Sequence, residues 1–179
     1  SLPDAFSEAR PGSTIEIRDS SVYPGGITLN VNQDGIPLTG LTLRAGKGSS
    51  PSILADSEGV GLLLNGVKDV TIDGIKFRGG AYGFLSLWSS GRVRNAELVN
   101  NQHGMWFENS QIRVLDSTIQ QTEMGLVALS SRVNLAGMTV SNNSAQGIYL
   151  QDTPALIQKA TVAQNQAQGM IATYWLSPP

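Results

Sequence analysis

Apolar and polar residues alternate in short bursts along this chain, and the bursts recur at a nearly fixed distance. Glycines stand at positions 61, 83, 104, 125, 147 and 169, so successive intervals are 22, 21, 21, 22 and 22 residues. Each glycine is followed by a pair two residues apart: Leu62 and Leu64, Phe84 and Ser86, Met105 and Phe107, Leu126 and Ala128, Ile148 and Leu150, Met170 and Ala172. A second pair follows in mid-repeat, as in Val70 and Ile72, Ile112 and Val114, and Val133 and Leu135. A third closes the repeat, as in Ile75 and Phe77, Ala96 and Leu98, and Met138 and Val140. Alternation with period two is what a strand with one buried face requires. Three such strands in every 21–22 residues predict a solenoid. The expected fold is all-β: a right-handed parallel β-helix with three strands per coil and coils stacked about 4.8 Å apart.

Paired amides close each repeat, as in "LVNNQHGMWFEN" (98–109) and "VSNNSAQGIYLQD" (140–152). At this period Asn100, Gln121, Asn142 and Gln164 superpose. They are expected to form a ladder of amides bonded to one another and to turn backbone. The glycine after them is expected where the chain turns tightly into the next strand with no Cβ in the way.

The first sixty residues are less regular. "PDAFSEARPG" reads as an amphipathic helix begun by Pro3 or Asp4, with Leu2, Ala5, Phe6 and Ala9 on its apolar side and Pro11-Gly12 as its stop. An open coil exposes apolar core and unpaired backbone, so this helix is the expected plug for the N-terminal end. The chain thus divides into a cap helix (1–12), irregular first coils (13–60) and regular coils (61–179) of one domain. At the far end Trp175, Leu176 and the last two prolines are expected to fold back over the final coil, unless the chain continues. Residue 1 is Ser rather than Met, which suggests a piece of a longer protein.

Composition narrows the chemistry. A formal net charge of −2 offers no field for nucleic acid, and no apolar run is long enough to span a membrane. There is no Cys and a single His, so disulfides, thiolate metal sites and multi-His metal sites are excluded. Neither metal nor cofactor is expected. The compartment is not fixed by the sequence, and a place outside the cell or on its surface is favoured over the cytoplasm.

The segment Ala9-Arg10-Pro11-Gly12-x-Thr14-Ile15-x-Ile17, with the glycine-led repeats over 61–173, resembles the right-handed parallel β-helix superfamily, the pectin lyase-like group. "LRAGKGSSPSIL" (43–54) also resembles non-catalytic β-helix segments of large bacterial multidomain proteins, some of them related to Ser/Thr kinases. The resemblance implies that a lyase would carry clustered Asp or Glu and an Arg base on the outer face of the first strand, and a hydrolase two or three converging carboxylates. Superfamily membership fixes fold far better than activity.

Outward positions of the first strands offer one carboxylate, Glu108. If the chain were an enzyme, a polysaccharide lyase or glycoside hydrolase, Glu108 assisted by His103 would have to carry it. The other outward residues are apolar: Leu85, Trp106, Val127, Leu129 and Tyr149, with Trp88 nearby. A contiguous apolar patch marks an interaction surface. The expected function is therefore a non-catalytic interaction or recognition module. Its partner would be a neighbouring domain, a second protein chain, or a polysaccharide stacked on the aromatic rings. Arg92 and Arg113, one repeat apart, make a second candidate, a polar strip able to hold an anion.

Overall fold

The computed structural model describes residues 1–174. The expectation for Trp175, Leu176 and the last prolines lies outside the described residues. Among the described residues twenty-one strands form three parallel sheets of seven strands each, and every strand pairs with its counterpart one coil away. The sheet built from Ile27–Leu29, Val60–Asn65, Tyr82–Leu87, His103–Glu108, Met124–Leu129, Ile148–Gln151 and Met170–Thr173 is called the front sheet below. The second sheet runs from Thr14–Ile17 to Ala155–Gln158, and the third from Val22–Pro24 to Thr161–Ala163. The architecture is the parallel β-helix expected from the repeat.

Packing follows the alternation. Leu62, Leu64, Phe84, Met105, Phe107, Leu126 and Ala128 of the front sheet point inward and are buried, as are Val70, Ile72, Ile112 and Val114 of the second sheet and Phe77, Leu98, Ile119 and Val140 of the third. Equivalent residues stack coil upon coil, so one continuous core runs along the axis. Within it Phe77 and Phe84 meet tilted and Phe84 and Phe107 edge to face, with ring centroids 6.0 and 6.1 Å apart.

Each regular coil turns three corners, and a residue at positive φ recurs at each, with Asp69 and Gly80 as additional ones in the first regular coil. The front corner uses Gly66, Trp88, Asn109, Ser130 and Asp152. The second uses Gly74, Asn95, Asp116, Gly137 and Lys159, and the third Gly79, Asn100, Gln121, Asn142 and Gln164. Gly, Asn and Asp tolerate the left-handed region best, which explains their recurrence here. The corner amides continue the ladder: Asn100 N–H donates to the Gln121 carbonyl at 3.1 Å and Asn109 N–H to the Leu129 carbonyl at 3.1 Å.

The expected ladder shifts by one residue. Asn100, Gln121, Asn142 and Gln164 are exposed, with φ of 56°, 54°, 57° and 55°, and serve as the corner residues themselves. The buried polar column is the next position: Asn101, Thr122 and Asn143, with half-buried Asn165. The Asn143 side-chain oxygen accepts from the Thr122 N–H (3.0 Å) and hydroxyl (2.8 Å), and its amide donates to the Asn165 side-chain oxygen (2.8 Å). The physical reason is parity: a residue in the left-handed corner projects outward, and the following one turns back under the coil. A second buried column, Ser89, Ser110, Ser131 and Thr153, lies inside the front corner. Each hydroxyl there accepts the backbone N–H from the coil before, at 3.0–3.2 Å. Its spacing was legible in the sequence but unread.

The cap helix spans Leu2–Glu8, one residue earlier than its Pro3 or Asp4 start, because Ser1 caps it in a capping box with Asp4. Leu2, Phe6 and Ala9 enter the core over Ile17, Ile27 and Leu29. Asn32 seals the plug, donating to the Ala9 carbonyl at 2.9 Å.

Candidate functional site

The outer face of the front sheet carries three columns in register. The central column is Leu63, Leu85, Trp106, Val127, Tyr149 and Ile171. Beside it run Asn65, Leu87, Glu108, Leu129, Gln151 and Thr173. On the other side stand Val60, Tyr82, His103 and Met124. The apolar stripe is thus real. Its members partly cover one another: Val127, between Trp106 and Tyr149, is only 1% exposed despite facing outward, and Leu85, Trp106, Leu129 and Tyr149 are half-buried.

The polar tips of the two rings in the central column are spoken for. Trp106 Nε1 donates to Glu108 Oε1 at 2.7 Å, and Tyr149 Oη donates to Gln151 Oε1 at 3.3 Å. Trp88 does not join the face. It occupies the front corner at φ 47°, 62% exposed, a costly conformation for a bulky residue. It flanks a polar groove shared with Lys68, Asn109, Gln111 and Arg132.

His103 is the first residue of a strand, half-buried among rings. Its centroid lies 5.0 Å from that of Tyr82 and 4.9 Å from that of Trp106. Burial pushes the imidazole below its ordinary value, with the Glu123 carboxylate pulling weakly the other way, so the neutral ring is favoured. Its Nδ1 is buried and has no hydrogen-bond partner, an arrangement that costs about 1–3 kcal/mol. Glu108 stands at the opposite end of the same strand, five residues on, or roughly 16 Å at strand rise. The acid–base pairing of His103 with Glu108 is therefore not made: the two groups do not reach one bond.

What throws His103 outward is the glycine after it. A Cβ at Gly104 would lie 2.6 Å from the Gly125 carbonyl and would press on the Ile119 side chain. The glycine and Met105 both face inward, the alternation breaks, and His103 joins the outer face beside Trp106. Gly83 does the same for Tyr82, and Gly125 for Met124. None of these three glycines has a positive φ, so close approach between coils, not the turn expected from sequence, demands glycine there. The sequence reading missed Tyr82 and Met124 because strict alternation assigns them no outward place.

On the second sheet Arg92 and Arg113 are in register and exposed along a groove of about 340 Å³, with Asp69, Thr71, Ser90 and Gln111. Arg94, by contrast, is neutralised by Asp73 at 2.8 Å.

Coil geometry and sheet order define the class: a parallel β-helix with three strands per coil. Among solved structures the chain is similar to the pectate lyase Pel9A, with a TM-score of 0.63 and 17% identity over 89% of this chain and 49% of that one. It is also similar to an alginate lyase from Paenibacillus sp. str. FPU-7, with a TM-score of 0.64 and 15% identity over 89% of this chain and 72% of that one. At such identities the likeness shows the fold alone, and this chain spans about half the length of the pectate lyase. The family model "NosD: Periplasmic copper-binding protein (NosD)" matches residues 12–174, and the chain belongs to this family. No curated protein matches it in sequence. Among the described residues no helix is long and apolar enough to cross a membrane.

Proposed function

We propose that this chain is a non-catalytic recognition module of the periplasm or cell exterior. It docks a protein partner through the outer face of the front sheet. The observation that carries the reading is the in-register apolar column from Leu63 to Ile171 with Leu87 and Leu129 beside it. Half-exposed apolar groups in a contiguous band gain from burial at about 25 cal/mol per Å². A protein surface suits this face better than a glycan. Aliphatic side chains outnumber rings, and the Trp106 and Tyr149 donors that would meet sugar hydroxyls already bond to Glu108 and Gln151. The family's periplasmic description supports the location. The separation of His103 from Glu108 along the strand argues against hydrolytic or eliminative chemistry there.

The family's description also names copper, and the donor set decides what form of it this chain suits. With no Cys and one His, and with no group of three His, Cys, Asp or Glu placed together among the described residues, a tetragonal Cu(II) site does not fit. An imidazole beside a thioether does fit a soft, low-coordinate Cu(I) ion. His103 and Met124, in register on adjacent coils, are the residues that would hold it.

The docking reading is tested by hydroxyl-radical footprinting of the protein in intact cells and after purification. Trp106, Tyr149 and Leu85 should be labelled in the purified chain and protected in cells, with protection lost in a Trp106→Glu, Leu129→Lys double variant. Equal labelling in both settings would refute the proposal. Protection restored to the purified chain by a polysaccharide would move the assignment to glycan binding.

A further inference from the structure

We propose that Arg92, Arg113 and Arg132 bind a phosphate monoester on the outer face of the second sheet, with Trp88 as the platform for the sugar ring that carries it. Three in-register cations elsewhere on the coils face an acid. Arg44 faces Glu16 and Arg94 faces Asp73 on this sheet, and Lys76 faces Glu97 on the third, each pair closed at 2.7–2.9 Å. Arg92 and Arg113 instead face each other, with Thr71 one coil before and Asn134 one coil after in the same column. Like charges directly opposite destabilise a sheet. Neither they nor Arg132 make an ion pair among the described residues. They also share space. Arg92 and Arg113 line one cavity of about 340 Å³, and Arg113 and Arg132 line an adjoining one of about 350 Å³. An anion would complete this uncompensated groove.

Charge and acceptor count select the anion. A phosphate monoester carries nearly two negative charges and three acceptor oxygens at neutral pH. A carboxylate, with two oxygens and one charge, is satisfied by a single guanidinium fork, whereas several forks call for a tetrahedral dianion. Asp69 borders the first cavity and keeps the anion from that end. No carboxylate borders the second, where Gln111 and Asn134 join Arg113 and Arg132. A strained ring marks the other half of the site. Gly66, Asn109, Ser130 and Asp152 hold the front corner in other coils, whereas Trp88 holds it at φ 47° and stays 62% exposed. Strain of this kind persists at ligand clamps. One groove joins Trp88 to Asn109, Gln111 and Arg132, with Lys68 and Asp152 on its rim. The Asn109 and Gln111 side chains have no partner among the described residues. An indole face with unused amides beside it suits a hydroxylated ring. The site lies on a different sheet from the apolar stripe and does not depend on the docking reading.

The test is calorimetric titration of the purified chain at low salt with glucose-6-phosphate, alongside glucose, inorganic phosphate, glucuronate and glucose-6-sulfate. One equivalent of the phosphate ester should bind and quench tryptophan fluorescence. Glucose should not bind, and glucuronate and the sulfate ester should bind at least tenfold more weakly. Affinity should fall as the pH drops below about 6, where the monoester loses its second charge. Arg113→Gln should weaken binding at least tenfold without lowering the melting temperature, because it relieves the like-charge contact. Trp88→Asn should raise the melting temperature, since Asn accepts the corner φ, yet reduce the ester to the affinity of inorganic phosphate. The proposal is overturned if the ester does not bind, if glucuronate binds as well, or if either variant binds like the parent. Phosphatidylcholine vesicles carrying phosphatidic acid are the last arm. Capture by them without affinity for the sugar ester would assign the phosphate to a lipid headgroup and overturn the ring platform.

Discussion

Replacing Asn143 by Ala separates a buried ladder from an exposed corner, because its neighbour Asn142 supplies the control. Asn143 is 0% exposed. Removing its side chain strips the buried Thr122 N–H of its acceptor. The Thr122 hydroxyl keeps the Met124 carbonyl at 2.9 Å, and the Asn165 oxygen keeps the Asn143 N–H at 3.2 Å, so neither is orphaned. One stranded buried donor costs about 1–3 kcal/mol, and the hydrogen bonds and packing lost with the side chain raise the total to roughly 2–4 kcal/mol. Asn142→Ala removes no buried bond. It loses the part-exposed hydrogen bond of its amide to Ser141 Oγ at 3.2 Å and the ease with which Asn adopts its φ of 57°, about 1 kcal/mol. For a chain of this size each kcal/mol moves the melting temperature by about 2–4 °C. Thermal melts followed by circular dichroism should therefore fall by roughly 5–15 °C for Asn143→Ala and by roughly 2–4 °C for Asn142→Ala. If the two shifts are equal, or reversed, the stacked polar column does not stabilise the coils and the parity argument fails with it.

Two further outcomes follow from the coil geometry. Gly104→Ala sets a Cβ 2.6 Å from the Gly125 carbonyl, and overpacking of this kind should cost about 1–3 kcal/mol in urea melts; an unchanged midpoint would mean the coils part freely there. Glu16 accepts from Arg18 at 2.8 Å and Arg44 at 2.9 Å, and these hydrogen bonds hold its carboxyl below the usual 4.5. The unfolded chain then takes up the proton first, so this contribution is complete above pH 4.5 and is lost as the pH falls through the lower folded value. In urea melts across pH, Glu16→Gln should lower stability slightly near neutrality, leave it unchanged in strong acid and so flatten the acid limb between; an unaltered slope there would refute the assignment.

The periodicity of the apolar pairs was enough to specify strands, coils and core, because each of the three strands buries one face and nothing competes with that pattern. Leu62, Val70 and Phe77 fall inward on alternation alone. The corners were less legible. Asn100 and Asn101 are chemically alike, and only the left-handed φ of the first decides which faces water and which enters the coil. The column Ser89, Ser110, Ser131 and Thr153 was in plain view, at intervals of 21, 21 and 22 residues, but hydroxyls carry no hydrophobic signal and so escape a search for alternation. Trp88 is expected beside the face from its place in the sequence, whereas its corner backbone turns it away.

The same glycines that made the repeat visible concealed the site. In the sequence they mark a period; in the structure each one flips the parity of its strand. A perfectly alternating strand would place His103 on the same side as Met105 and Phe107, in the core, where an imidazole with a free nitrogen would be expensive to bury. The glycine lets two consecutive residues face inward and turns the residue before it out beside the apolar column. Tyr82, His103 and Met124 reach the surface together for this reason alone. With no Cys and one His the composition rules out thiolate and multi-His metal sites, but that exclusion does not reach an imidazole paired with a thioether. Such a pair needs two residues 21 positions apart, in register and on one side. The stacking of coils supplies the register, and the glycine supplies the side.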